Sequence, residues 1–390
     1  MKLTDYGLSR ERGFLSSFDP TDITLPEFLQ PIREMALALP RILPTGRVRA
    51  HLESLPALDL TDFLANASDA EQRIAMLHYS FMVQSYVWGE KEPPKALPAC
   101  LAVPIWQIGQ AIGQPPLLPY SSYTLENWGR FDADGPIDLS NIYTIQHFDG
   151  GLDEAWFILV HVAIEARAGE LLEEATNLIS HLSNGDGNAA AIEASLAAMS
   201  ATWDDINAIF DRMPDQCDPY VYFHRVRPWI HGWKDNPALG DGLIYEGVAE
   251  TNGAPQAFRG QTGSQSSIVP AMDALLSVGH AADPLRTFLD ELHAYRPPNH
   301  RRFIEDVRAQ SSLREYVEGA GNKSITILYN ENVSKLARFR TRHLEYAASY
   351  INKQSKGGAG NDPDVGTGGT PFMKYLKKHR DEAEAHLLPV

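Results

Sequence analysis

Nearly every segment of this chain that carries hydrophobic pattern carries it at helical spacing, and that restricts the fold more than any other feature. Apolar residues recur every three or four positions across residues 26–39, 46–65, 69–88 and 101–113, with Pro and Gly between them. A long segment at 152–182 is apolar almost all round at its start, and a helix with no polar face belongs at the centre of a bundle. Further helices are expected at 189–212, 217–232, 265–279, 283–294, 299–310, 312–319, 324–353 and 371–387. The fold class is therefore all-α. The run Asp132-Ala-Asp-Gly-Pro-Ile-Asp-Leu-Ser-Asn141 reads as a linker. It divides a small helical domain at 1–131 from a large helical domain at 152–390, with 132–151 between them. Residues 354–371 are too rich in glycine for regular structure, and long loops of that kind serve as lids or stay disordered.

Composition removes several function classes. A formal net charge of −16 over 390 residues disfavours nucleic acid or an anionic membrane as partner. Two cysteines, Cys100 and Cys217, cannot build a disulfide framework or a thiolate zinc site, so a reducing cytoplasm fits. The longest apolar run, Ala155–Val160, is too short to span a bilayer, and the first residues lack the apolar core of a signal peptide. No Cys-x-x-Cys-His segment is present, so a haem here would be held without covalent attachment. Phosphate loops, nucleophile elbows and zinc-protease motifs are absent too.

Two stretches carry candidate chemistry. Tyr220-Val-Tyr-Phe-His-Arg-Val-Arg-Pro-Trp-Ile-His-Gly-Trp233 sets Arg227 among Tyr222, Phe223, Trp229 and Trp233. A guanidinium is a planar fork of donors matched to a carboxylate, so this reads as a wall for a flat, partly apolar acid. In the second stretch, Leu336, Arg340, His343, Ala347 and Tyr350 share one helix face. An inward imidazole is ordinarily a hydrogen-bonded core group; here Arg340, one turn earlier, needs an anion that a haem propionate beside an axial histidine would supply. His161 has the same two readings, core histidine or distal-pocket residue, on a face shared with Phe157, Ile164 and Ala168. Thr367 belongs by default to a flexible loop, and Gly260-Gln-Thr-Gly-Ser-Gln-Ser-Ser267 to a small-residue turn capping a helix.

With those residues in view, the chain resembles the indoleamine 2,3-dioxygenase family. The resemblance runs through Tyr86-Val-Trp-Gly89, Leu101-Ala-Val-Pro104, Pro115-Pro-Leu-Leu-Pro-Tyr120, Asn127-Trp128, Gly232-Trp-Lys-Asp-Asn-Pro237 and Asp241-Gly-Leu-Ile-Tyr-Glu-Gly247. It continues through Gln265-Ser-Ser267, Tyr295-Arg-Pro-Pro-Asn-His-Arg301, Arg340-Thr-Arg-His343 and Gly366-Thr-Gly-Gly-Thr370. It implies a haem b enzyme that uses O2 as co-substrate, opens the indole ring of tryptophan and needs an electron donor to keep the iron ferrous. His343 falls at the iron ligand, Arg340 near a haem propionate and Asp273 near the haem edge. Arg227 falls on the arginine that pairs with the substrate carboxylate; Tyr120, Phe157 and Phe223 fall on pocket aromatics. Thr262 and Gly263 match the turn over the distal face, and Thr367 the loop threonine that closes over substrate.

Three positions depart from the vertebrate members. Tyr222 replaces a phenylalanine, Tyr123 a smaller residue and His161 a serine; the resemblance makes Tyr123 and Tyr222 part of the substrate pocket. A distal histidine is a feature of the related tryptophan 2,3-dioxygenases, where it hydrogen-bonds the indole N–H, so His161 is the expected catalytic residue, as an orienting partner rather than an essential base. Three functions stay open at this stage: a tryptophan-cleaving dioxygenase yielding N-formylkynurenine, a monooxygenase or dioxygenase for a modified indole in a biosynthetic pathway, and an oxygen-binding haem protein without turnover.

Overall fold

A computed structural model describes residues 1–183, 188–279, 284–354, 367 and 372–390 of the chain. Helices dominate it, and its only strands among the described residues are two short pairs: Ala96–Leu97 parallel to Ile244–Tyr245, and Gly129–Arg130 antiparallel to Ile142–Tyr143. The all-α class holds.

Two hydrophobic cores organise the helices. The first is built round Asp69–Trp88, started by a capping box in which Ser68 Oγ accepts from the Glu71 N–H and the Glu71 carboxylate accepts from the Ser68 N–H. From Ile74 to Val87 every residue of this helix is buried. Some of its polar members are satisfied inside, as His78 is by Gln146 at 3.1 Å, while the Tyr79 and Ser85 hydroxyls are buried without a partner among the described residues. Gln30–Ile42 and Ala99–Ile112 pack against it. The second core centres on Ala189–Asp211 and the 25-residue helix Lys323–Ala347, whose N-cap Asn322 accepts from the Ser324 and Ile325 N–H groups. The chain crosses between cores: Leu3 to Phe14 pack into the second, and Ile230 to Val248 into the first.

The 152–182 segment is two helices, Leu152–Arg167 and Gly169–Ser183. The break follows from a backbone crossing. A Cβ on Gly13 would lie 1.9 Å from the Glu165 carbonyl oxygen, and one on Gly169 2.1 Å from the Arg10 carbonyl oxygen, so only glycines let the N-terminal segment cross here. The 46–65 segment is likewise two short helices, Val48–Leu52 and Thr61–Asn66. Residues 132–141 close the Gly129–Tyr143 hairpin, with Asn141 Nδ2 donating to the carbonyls of Asp132 and Pro136. Of the glycine-rich 354–371 segment, 355–366 and 368–371 lie outside the described residues.

Three π-turns occur among the described residues: Ser121–Leu125, Tyr222–Val226 and Ala348–Asn352. Such turns are rare and concentrate at functional sites. Tyr222, Tyr350 and Ile351 of the last two line a small internal compartment, and Tyr120, immediately before the first, lines the larger space that adjoins it.

Candidate active site

That space is a cavity of about 620 Å³, within the range of small-molecule and cofactor sites. It adjoins a second compartment of about 130 Å³, and His161, Gly263, Ser264, Phe210 and His343 line both. Because His343 sits late in the Lys323–Ala347 helix, its ring comes to the cavity beside Phe210, with ring centroids 6.3 Å apart. Burial, aided by His161, lowers its pKa to about 4, so the imidazole is neutral at physiological pH. Its ring makes no hydrogen bond to the described residues. A neutral imidazole with an uncommitted nitrogen is what a metal ligand requires.

One turn earlier on this helix, Arg340 is anchored by the Ile268–Leu275 helix. Its Nη2 donates to both carboxylate oxygens of Asp273, at 2.7 and 2.5 Å. The anion that the sequence assigns to a haem propionate is thus supplied in part by Asp273. Arg340 Nη1 is nevertheless buried without a hydrogen-bond partner among the described residues, and both residues line the large cavity. The remaining donor leaves a place for a carboxylate brought by a ligand.

Across the same space, His161 is fixed by its own helix. Nδ1 lies 2.7 Å from the Phe157 carbonyl oxygen, which can only accept, so Nδ1 carries the proton and Nε2 keeps a lone pair. Burial depresses this pKa as well, holding the ring neutral. A Cβ placed on Gly263 would sit 4.0 Å from Nε2, so the absence of a side chain there keeps the acceptor accessible. The Thr262–Gln265 turn is closed by Thr262 Oγ1, which accepts from the Ser264 N–H.

Thr367 stands against this turn. Its hydroxyl donates to the Gln261 carbonyl at 2.7 Å, and its own carbonyl accepts from the Gly232 N–H. A Cβ on Gly260 would meet Gly232 N at 2.2 Å and Thr367 O at 2.6 Å, so three backbones converge where only glycine fits. Thr367, Thr262, Phe157 and Tyr222 all line the smaller compartment. The Phe157 ring contacts both His161 and Tyr222, with centroids 4.7 and 4.8 Å away.

Other sequence candidates stand behind the lining. Arg227 is 0% exposed, with its guanidinium 5.4 Å from the Phe223 ring centroid. Neither residue lines the cavities, although Arg227 is close enough to Tyr222 to oppose the rise of that phenol's pKa to about 12. The 217–232 helix expected from periodicity is a succession of short α, π and 3-10 turns, and Pro228 is the reason: it has no N–H and cannot continue a helix. Tyr123 is wholly buried against Phe81, Phe148 and Phe157, and its hydroxyl has no partner among the described residues. Tyr120 lines the large cavity and donates to Glu165 Oε1 at 2.9 Å. Glu165, Phe210 and the π-turns were not singled out from the sequence. Glu165 had a visible signal, since it follows His161 by four residues and shares its face.

These features suit a flat prosthetic group. Among the described residues no three His, Cys, Asp or Glu side chains gather to hold a metal ion, so an iron bound here would bring its own equatorial donors. His343 would offer a ring nitrogen to the iron, Ile164, Ile268 and Phe339 would offer apolar walls, and Arg340 Nη1 would offer a donor to a carboxylate on the group.

An all-α protein with two neutral histidines, His161 and His343, placed on separate helices where a cofactor-sized cavity meets a smaller compartment is the class that fold and site define. The indoleamine 2,3-dioxygenase family model matches residues 2–386. Indoleamine 2,3-dioxygenase 2 of Homo sapiens is 33% identical, over 100% of this chain and 96% of that protein. The indoleamine 2,3-dioxygenase of Saccharomyces cerevisiae is 29% identical over 98% and 93%. A myoglobin of Haliotis diversicolor is 27% identical over 98% of both. The chain belongs to the indoleamine 2,3-dioxygenase family and is an enzyme of that haem-dependent oxidoreductase type.

Proposed function

We propose that the protein cleaves the indole C2–C3 bond of L-tryptophan, using haem b and O2, to give N-formylkynurenine. The observation that carries this reading is the pair of neutral histidines lining both compartments: His343 with an uncommitted ring, His161 with its proton committed to Phe157. His343 and Arg340 would hold the haem, which when bound would supply the means of activating O2. This chain's own residues orient the substrate and exclude water. Phe157 and Tyr222 form an aromatic slot for the indole, and His161 Nε2 accepts the indole N–H. Thr367 and the Thr262–Gly263 turn cover the smaller compartment. Arg227 takes the substrate carboxylate, its guanidinium swinging clear of the Phe223 ring as that anion enters; a bidentate pair fixes orientation as well as contributing energy. No general base is required, because indole is electron-rich with its N–H proton in place.

An electron donor keeps the iron ferrous, and the cytoplasm suits two unpaired, buried cysteines. No described helix is long and apolar enough to cross a membrane. The similarity to a myoglobin motivates a second reading, oxygen binding without turnover. A buried arginine among aromatics has no use in a plain oxygen carrier, which favours the enzyme. Mass spectrometry after reaction of L-tryptophan with 18O2 separates the readings: two labelled atoms in the product support dioxygenation, one indicates a monooxygenase and none a carrier.

A further inference from the structure

Glu165 is a buried acid that the chemistry above does not use. It is 1% exposed, lines the large cavity and follows His161 by one turn. Its Oε1 accepts from the Tyr120 hydroxyl at 2.9 Å and from the Ser266 hydroxyl at 2.6 Å, while Oε2 is buried with no partner among the described residues. No cation among the described residues forms an ion pair with it. The nearest guanidinium, on Arg296, donates instead to the carbonyls of Ser264 and Ser266. An isolated carboxylate at that depth is costly, whereas a neutral acid with Oε1 accepting and its proton on Oε2 fits every bond observed.

We propose that Glu165 is a positioning residue that, as a neutral acid, ties Tyr120 and the Gly263–Ser266 turn to the His161 helix and so sets the height of that turn over the cavity. Ser266 and Tyr120 come from separate stretches of chain, and Glu165 Oε1 is their common anchor. Its backbone carbonyl is pinned in turn by the Gly13 crossing, so the anchor has little room to move. The ionisable and charged groups around it are Tyr120, His161 and Arg296. Burial raises the Tyr120 pKa and lowers that of His161, so neither competes as an anion or cation near neutrality. Burial also lifts Glu165 to about 7, with the two hydroxyls and Arg296 opposing the rise. As pH climbs through that value the acid ionises: the two hydroxyl bonds to Oε1 tighten, but a charge is left buried at Oε2 with no partner among the described residues, which disturbs the packing around the turn and lowers kcat.

The effect on turnover rests on the dioxygenase reading; the protonation state of the carboxyl does not. Infrared spectra of the holoprotein, wild type minus Glu165→Gln, should show a protonated-carboxyl C=O band near pH 6 that is gone by about pH 8. Glu154, also raised to about 7, is common to both proteins and cancels. In steady-state kinetics Glu165→Ala should lower kcat about tenfold or more with a smaller change in KM, as when one orienting hydrogen-bond set is lost. Glu165→Gln, the isostere of the neutral acid, should rescue most of that loss and remove the decline in kcat above about pH 7. A missing C=O band near pH 6, or Glu165→Gln as impaired as Glu165→Ala, would overturn the proposal. A normal band in a protein without tryptophan-cleaving activity would leave the clamp standing and defeat the functional reading instead.

Discussion

The two histidines that line both compartments, His343 and His161, are held in opposite ways. His343 stands on a long, regular, well-capped helix, and its ring is left uncommitted, ready to bind. His161 has its ring locked by a hydrogen bond to its own helix, which fixes the tautomer and leaves one lone pair exposed. The His343 wall is one continuous element with an Arg340–Asp273 pair behind it. The His161 wall is assembled from the Leu152–Arg167 helix, the small-residue Thr262–Gln265 turn, the Tyr222–Val226 π-turn and Thr367, which packs where Gly260 and Gly232 cross. A rigid wall suits a permanent cofactor; a composite wall suits a substrate that enters and leaves.

The sharpest way to break this comparison is His343→Ala. Haem retention and activity should both be lost, read from the ferrous–CO spectrum of purified protein, whereas His161→Ala should keep its haem. Next in size is Asp273→Ala, which strands Arg340 in a buried setting. Loss of one partner of such a pair costs about 3–5 kcal/mol, so thermal unfolding should shift sharply downward, and Asp273→Asn should shift it less. Unchanged melting would show that the pair does not brace the His343 wall.

On the composite wall the largest effect belongs to Arg227. Arg227→Ala should cost about 2–5 kcal/mol of transition-state stabilisation, and Arg227→Lys should be poorly tolerated because an ammonium lacks the planar fork. A change in kcat/KM for L-tryptophan below about threefold would remove it from the carboxylate site. His161→Ser should cost only about one to two orders of magnitude in turnover, the range for one orienting hydrogen bond. It should also narrow the gap between L-tryptophan and 1-methyl-tryptophan, which has no indole N–H to donate. The pH profile sharpens this. His161 must be neutral to accept, and its pKa is depressed, so activity should persist below the ordinary histidine range of about 6.5 and fall only in more acid solution. An acid limb centred at the ordinary histidine value would contradict the buried geometry.

The two walls also differ in how far the sequence reveals them. The stripe of Leu336, Arg340, His343 and Ala347 was legible because a regular helix turns spacing directly into a shared face. Asp69–Trp88 was legible to the residue for the same reason. What was missed depends on non-local contact. The break at Ala168 comes from the Gly13–Gly169 crossing, and the disruption of 217–232 from Pro228 with a π-turn. Asp273 as the partner of Arg340, and Tyr120 and Ser266 as partners of Glu165, join residues 45 to 101 positions apart. Periodicity carries no information about such pairings. The family resemblance named Arg227, Phe223 and Tyr123, and the fold shows them standing one layer behind the lining.

The central claim is the division of labour between the histidines, and resonance Raman spectroscopy of the ferrous haem protein tests it most directly. The iron–histidine stretching band should be present in wild type and in His161→Ala, and absent in His343→Ala. A band that survives in His343→Ala, or disappears in His161→Ala, would contradict the account.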